Sequence, residues 1–307
     1  MVMTMAPEES AELAAIETTH FLDLPDGVHA DVAESTYHAR IPGVASKSAL
    51  DLVLRSPAHY RAWLDGRERA RTAALSLGTA VHMARLEPER FARTYVIAPD
   101  FGDLRAVEGR TTKEQGKANK TARDEWRREH VGAVVLDSKD GAATLGMVRA
   151  IAEHPDAGPL FEGGLPEVTL KWVDPETEIL CKARVDYWIP ELRIAVDLKT
   201  TTDAREWAFA RSISEYGYHR QDAHYRRGFE VLGQPIEQFV FIAVEKEPPF
   251  DLCVYELDRE DVADGRAEVS DALRTLGWCV ANDTWPGYAR GVRQISRPRW
   301  GRKSLAA

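Results

Sequence analysis

Apolar residues recur at helical spacing through the first half of the chain and alternate at strand spacing through the second, so the two halves predict different secondary structure. Leu50, Val53 and Leu54 form one side of a short helix that Ser46 or Ser48 can cap. Ser56-Pro57 offers an N-cap and a first-turn proline for the next helix, with Tyr60, Trp63 and Leu64 on its buried side. Further helices fit Leu75 to Leu86, Lys113 to Arg128 and Ser138 to Glu153. β-rich runs bounded by Pro, Asp and Gly follow: Glu167 to Val173, Ile179 to Ile189, Arg193 to Thr200, Gln238 to Val244 and Leu252 to Leu257. A helical stretch from Ala204 to Leu232 separates the third run from the fourth, and another from Arg259 to about Asn282 follows the fifth. The order predicts an α/β or α+β chain with a helical N-terminal half, then a three-strand meander, a crossover helix, two more strands and a closing helix.

Composition adds bounds. With 307 residues, of which 44% are hydrophobic, the chain can bury a substantial core and is neither a disordered chain nor a disulfide-stapled mini-protein. Its 40 basic and 49 acidic residues give a net charge of −9, which excludes coating nucleic acid through a globally basic surface but leaves room for a local basic groove. Charge is unevenly placed: no Lys or Arg precedes Arg40, whereas six basic residues and no acidic one lie from Arg290 to the end. Residues 1–45 lack periodicity and are expected to form an acidic, extended or partly mobile arm, 46–289 the core domain, and 290–307 a basic tail. That tail, with Trp300 and nearby Tyr288, is expected to meet phosphates. Cys181, Cys253 and Cys279 are too scattered for a disulfide framework or a metal cluster. No window approaches a membrane span and no leader pattern opens the chain, so a cytoplasmic protein is expected.

The meander carries the most chemistry. Alternation along a strand puts Asp197 and Lys199 on one face and Val196 and Leu198 on the other. A tight turn at Glu191-Leu192 would set Asp186 opposite Asp197 and Arg184 opposite Lys199. Opposed carboxylates need a cation between them, and magnesium suits a two-carboxylate site that stays open to a phosphate. A solvated, salt-bridged strand face satisfies the same spacing.

Arg184-Val-Asp186 with Val196-Asp-Leu-Lys-Thr200 resembles motifs II and III of the PD-(D/E)XK nuclease superfamily, and Gln221 with Tyr225 resembles the Gln-x-x-x-Tyr motif of its RecB-like branch. Ser46-Lys-Ser-Ala-Leu-Asp51, Ser56-Pro57, Gly78-Thr-Ala-Val-His82, Leu86-Glu-Pro88 and Phe91 are similar to the N-terminal blocks of exodeoxyribonuclease VIII (RecE-type) nuclease domains. The resemblance implies a central mixed sheet flanked by helices. Asp186, Asp197, His82 and the Leu198 carbonyl would hold magnesium, or manganese in its place, with Glu167 as a further carboxylate. Lys199 would serve the attacking water, Gln221 would complete the catalytic set, and Arg184 and Tyr225 would face DNA. Digestion of one strand of linear double-stranded DNA from 5′ to 3′ is implied, with the 3′ overhang passed to a single-strand annealing recombination protein. A homo-oligomer, as a ring-shaped tetramer, is implied too.

Ser46, Ser48 and Arg55 read as a helix start able to bind a terminal 5′-phosphate, although capping explains the serines equally well. His219 and His224, five apart, do not share a helix face and read as surface or DNA-facing residues. Rival readings are a RecB-like or CRISPR-associated nuclease of other polarity, and a module that binds DNA ends without cutting. Three dispersed cysteines count against the iron–sulfur cluster usual in the CRISPR-associated group.

Overall fold

The computed structural model describes residues 20–67, 73–101 and 111–296, with backbone alone at 73–76. The first nineteen residues of the expected arm and the tail from 297 lie outside the described residues. The strands in chain order are β1 (Gly27–His29), β2 (Tyr95–Ile97), β3 (Val134–Leu136), β4 (Leu165–Val173), β5 (Leu180–Ile189), β6 (Ile194–Thr201), β7 (Gln238–Glu245) and β8 (Leu252–Glu256). The helices that bear on the argument are α1 (Glu34–His38), α2 (Lys47–Arg55), α3 (Pro57–Leu64), α4 (Ala73–Leu86), α5 (Pro88–Thr94), α6 (Thr112–Glu129), α7 (Ser138–Glu153), α8 (Glu206–Tyr216), α9 (Tyr218–Val231) and α10 (Arg259–Asn282). None of them is long and apolar enough to cross a membrane.

Six strands form one mixed sheet in the order β1-β4-β5-β6-β7-β8, antiparallel throughout except where β6 lies parallel to β7. That parallel pair requires a crossover, and α8 and α9 supply it. The expected single helix from Ala204 to Leu232 is two, because Gly217 takes a left-handed φ of 66° that ends α8 and starts α9. Leu50 and Val53 of α2, Phe209 of α8, Phe229 of α9 and Leu273 of α10 pack on one face of the sheet against Leu170, Ala183 and Phe241. Val81 of α4 and Met147 of α7 cover the other face against Val196, Leu198 and Ile242. The alternation expected in β6 is therefore the one observed.

Ser46 caps α2 by accepting from the Ala49 amide at 3.3 Å. Ser56 makes no cap bond with its side chain; its hydroxyl lies 2.6 Å from His59 Nδ1 instead.

The N-terminal segment departs from the reading as a mobile acidic arm. From His20 onward it is part of the fold, with β1 paired to β4 and Phe21 only 1% exposed against Ile41 and Val44. The reason is a ladder of cations on the sheet. Lys171 sits directly opposite Lys182, and Arg184 lies two pairs further along, an arrangement that repels unless something else solvates it. Backbone carbonyls do so: Lys171 Nζ donates to Leu22 O at 2.9 Å, Lys182 Nζ to Ala39 O at 2.8 Å and Arg184 Nη2 to Val32 O at 2.6 Å. Aromatic faces add to this, with Lys182 Nζ 5.0 Å from the Phe21 centroid and the Arg184 guanidinium 4.4 Å from that of Tyr37. Burial and the adjacent Arg184 bring the Lys182 pKa down to about 8. No periodic apolar signal marks such a segment, since its hold on the sheet is made by main-chain oxygens.

Phe21 therefore anchors the whole segment. Phe21→Ala should lower stability by about 3 kcal/mol, the low end for a buried phenylalanine, measured as a shift of the urea midpoint at constant slope. A change under about 0.5 kcal/mol, the range of surface substitutions, would show that the segment rests loosely on the sheet.

Candidate active site

The hairpin between β5 and β6 turns through Pro190–Leu192 with Arg193 left-handed at φ 54°, and its pairs run Ile189↔Ile194, Trp188↔Ala195 and Tyr187↔Val196. This is the register the turn at Glu191-Leu192 implies. Pairing then stops. In place of the next rung, the Leu198 amide donates to Asp186 Oδ2 at 2.8 Å, so a side-chain carboxylate substitutes for a main-chain acceptor and the strands part around it. A strand residue directs its N–H and C=O to the same side, which puts the Leu198 carbonyl on the same opened edge. Arg184 does not reach Lys199 as the extrapolated register implied. It faces β4, with Nε 3.1 Å from Thr169 Oγ1, and is committed to Val32 and Tyr37.

Next to the opening, β4 and β5 reverse their faces. Pro166 pairs with Tyr187 and Val168 with Val185, while the intervening Glu167 takes a left-handed φ of 50°. Val185 packs with the α9 side of the sheet and Tyr187 with the α4 side, although two residues along a regular strand share a face. Glu167 and Asp186 occupy that reversal. Along with His82 of α4 they offer ligand atoms that all lie within 4.8 Å of one another, and His82 Nδ1 is 3.5 Å from Asp186 Oδ2.

Asp197 sits on the neighbouring strand edge and is 2% exposed. Its carboxylate is engaged by Lys199 Nζ on one oxygen and by the Gln221 side-chain amide of α9 on the other. Lys199 pairs with Oδ1 and Gln221 donates to Oδ2, so the two contacts together hold the buried carboxylate in place. Tyr225, one turn after Gln221, is 7% exposed, packs against Phe239 and has its side chain bonded to Gln221.

Electrostatics favour a cation here. Burial, and then the Asp197 charge, push the Asp186 carboxyl up to about 6. Burial followed by Asp186 pushes Glu167 up to about 8, with Glu87 and Glu34 adding to the excess against Arg184 alone. Burial would lower the Lys199 pKa, but Asp197 and Asp186 outweigh it and hold it above the ordinary value. Carboxylate oxygens and one imidazole form a donor set that suits a hard divalent ion such as magnesium or manganese.

Several contributors carried no sequence signal strong enough to single them out. Glu34 of α1 and Glu87 before α5 are joined by Arg90, at 3.2 and 2.8 Å. Lys47 bonds the Tyr216 carbonyl, pairs with Asp51 at 2.7 Å and feels Lys199; it stood in the Ser46-Lys-Ser run, where the serines drew attention. The proposed phosphate cluster does not assemble as one unit. Ser46 and the exposed Ser48 lie on the first turn of α2, whereas Arg55 is on its last, about 12 Å along the axis, where Nε meets the Tyr288 hydroxyl at 3.4 Å. His224 is not a surface residue: it is fully buried on Trp172, Nε2 donates to Lys182 O at 3.1 Å, and burial drops its pKa to about 4. His219 is tied to Glu268 at 3.2 Å.

A family model described as a PDDEXK-like domain of unknown function (DUF3799) matches residues 46–297. The chain belongs to this PDDEXK-like family. Its central mixed sheet flanked by helices is the PD-(D/E)XK nuclease fold. Among solved structures, a protein of Eubacterium rectale provisionally named an exonuclease is 14% identical with a TM-score of 0.46, covering 87% of this chain and 95% of its own. A phage-related exonuclease of Haemophilus somnus is 12% identical with a TM-score of 0.30, covering 60% and 94%. Likeness at this level carries no argument about activity. No curated protein of similar sequence was found.

The raised acids fix a pH dependence for this PDDEXK-like site. Asp186 at about 6 and Glu167 at about 8 titrate higher in the folded protein than in an unfolded chain, so their contribution to stability is complete below about pH 4 and is lost as pH rises through both values. In EDTA, the thermal midpoint should fall between pH 5 and pH 9, and Asp186→Asn with Glu167→Gln should flatten that fall. Magnesium chloride should restore the midpoint more at high pH than at low, because protons compete with it. Scanning fluorimetry across pH reads all three effects.

Proposed function

We propose that this PDDEXK-like protein is a divalent-metal-dependent DNA exonuclease that shortens one strand of linear duplex DNA. What carries the reading is the convergence of Asp186, Glu167 and His82 beside Asp197 and Lys199, at a place where two strands are held apart. Asp186, Glu167 and His82 would hold the cation, with Asp197 and the Leu198 carbonyl on the adjoining edge. A divalent cation in such a set supplies Lewis-acid stabilisation of charge on phosphoryl oxygens.

The chain's own residues do the rest. Lys199, kept as an ammonium by its carboxylate neighbours, donates to a phosphate oxygen or to the attacking water and does not act as the base. Gln221 pins Asp197 so that its carboxylate does not rotate away from the opened edge. Ser46 and Lys47, at the start of α2, offer a hydroxyl and a cation to a flanking phosphate.

Resemblance to exodeoxyribonuclease VIII-type domains supports the finer reading: 5′-to-3′ digestion, a 3′ overhang received by a single-strand annealing protein, magnesium as the usual ion and a ring-shaped homo-oligomer. Linear duplexes labelled at either end, with and without a 5′-phosphate, test activity, polarity and end recognition together. Magnesium-dependent loss of label from the 5′ end is expected, and EDTA should abolish it. Asp197→Ala and Lys199→Ala should each slow cleavage at least about a hundredfold, the scale of losing one transition-state contact. A folded Asp197→Ala protein with parental activity would overturn the nuclease reading.

A further inference from the structure

A row of aromatic rings leads from the core to the surface past the catalytic lysine. Tyr218, the first residue of α9, stacks on Phe241 with centroids 5.6 Å apart and an interplanar angle of 25°. Lys199 Nζ lies 4.9 Å from the Tyr218 centroid. Tyr216, last residue of α8, follows at 5.8 Å from Tyr218 and is 53% exposed. Its backbone is fixed from both sides, by Lys47 bonding its carbonyl and by Gly217 in a left-handed turn directly after it. The ring leans on Tyr218 along one side and leaves about half of its surface to solvent, one ring contact from Lys199, on a backbone that a second lysine bonds. It offers what an unstacked nucleobase needs: a flat π-face, with cations nearby for the phosphate that the base carries.

We infer that Tyr216 is a stacking platform for a nucleobase next to the scissile phosphate, so that the substrate strand enters the site unpaired at its end. This inference rests on the nuclease reading above and deepens it, because it names the state of the DNA that the site accepts. The ligand follows from chemistry: a π-face reads no sequence, and the adjacent Lys199 and Lys47 select an anionic strand over a neutral aromatic ligand.

The test uses full-length protein and hairpin duplexes with one open end, in calcium, which holds nucleic acid in such sites without supporting fast turnover. Two versions are compared, one natural and one with abasic residues replacing the last three bases of both strands. Tyr216→Ala should weaken binding of the natural duplex about tenfold, as expected for one lost base stack. Tyr216→Phe should stay within about twofold of the parent, since it keeps the ring. The abasic duplex should bind parent and Tyr216→Ala alike. Equal binding of the natural duplex by parent and Tyr216→Ala overturns the inference, and so does a loss that persists undiminished on the abasic duplex. Magnesium-dependent cleavage of the natural duplex by the parent, measured alongside, separates this failure from failure of the nuclease reading: a cleaving parent with an indifferent Tyr216→Ala sinks the platform alone.

Discussion

One hydrogen bond organises the candidate site: the Leu198 amide donates to the Asp186 carboxylate where a rung between β5 and β6 would otherwise form. An amide left unpaired in this interior would cost about 1–3 kcal/mol, so the carboxylate is what allows the two strands to part. The same group is thereby placed at the mouth of the opening it creates. Because β6 is paired along its other edge with β7 over its full length, the parting is localised, and Asp197 and Lys199 remain fixed in a regular strand. A rigid edge and an opened edge face each other, and the site is the gap.

That gap accumulates negative charge that Lys199 and Arg90 balance only in part. Asp186, Glu167, Glu87 and Glu34 act on one another, whereas Arg184 is drawn away to the Val32 carbonyl and the Tyr37 ring. Lys171 and Lys182 are likewise satisfied by carbonyls and not by carboxylates. Segregating cations onto main-chain oxygens on one side, and carboxylates into a cluster on the other, is electrostatically unfavourable in an isolated protein. It is the arrangement expected where an external cation completes the cluster.

The parts of this design that follow from local rules were legible in the sequence. Strand alternation with a period of two placed Asp197 and Lys199 on one face, and the Pro190–Arg193 turn fixed the register that brings Asp186 toward Asp197. Helices α6, α7 and α10 came from periodicity, and in the structure each starts on a side-chain cap, Thr111, Asp137 and Asp258. What escaped depends on three dimensions. The reversal of faces at Glu167 and Asp186 breaks the alternation any pattern reading assumes, and it needs a non-glycine residue at φ 50°. Arg184 shared a face with Asp186 in sequence but found a carbonyl acceptor more than a hundred residues upstream. His224 looked polar along the chain and is fully buried because one ring nitrogen reaches a β5 carbonyl.

The N-terminal segment shows how far the site extends beyond the residues that carry its motifs. The family match begins at residue 46, yet Glu34, Tyr37 and Val32 stand upstream of that point and touch or polarise Arg90, Arg184 and Glu167. Without them, the Lys171–Lys182–Arg184 ladder would lose these acceptors, and Arg184 already feels Glu167 and Glu87 of the site. Arg184 in particular would be free to turn its full charge on Glu167, whose pKa it already lowers. A guanidinium seated there would compete directly with a divalent ion for the same oxygens. By holding Arg184 on a carbonyl and an aromatic face, the segment keeps the cluster available to a cation from solution. It is thus a condition of the site's chemistry as well as a cover for the sheet.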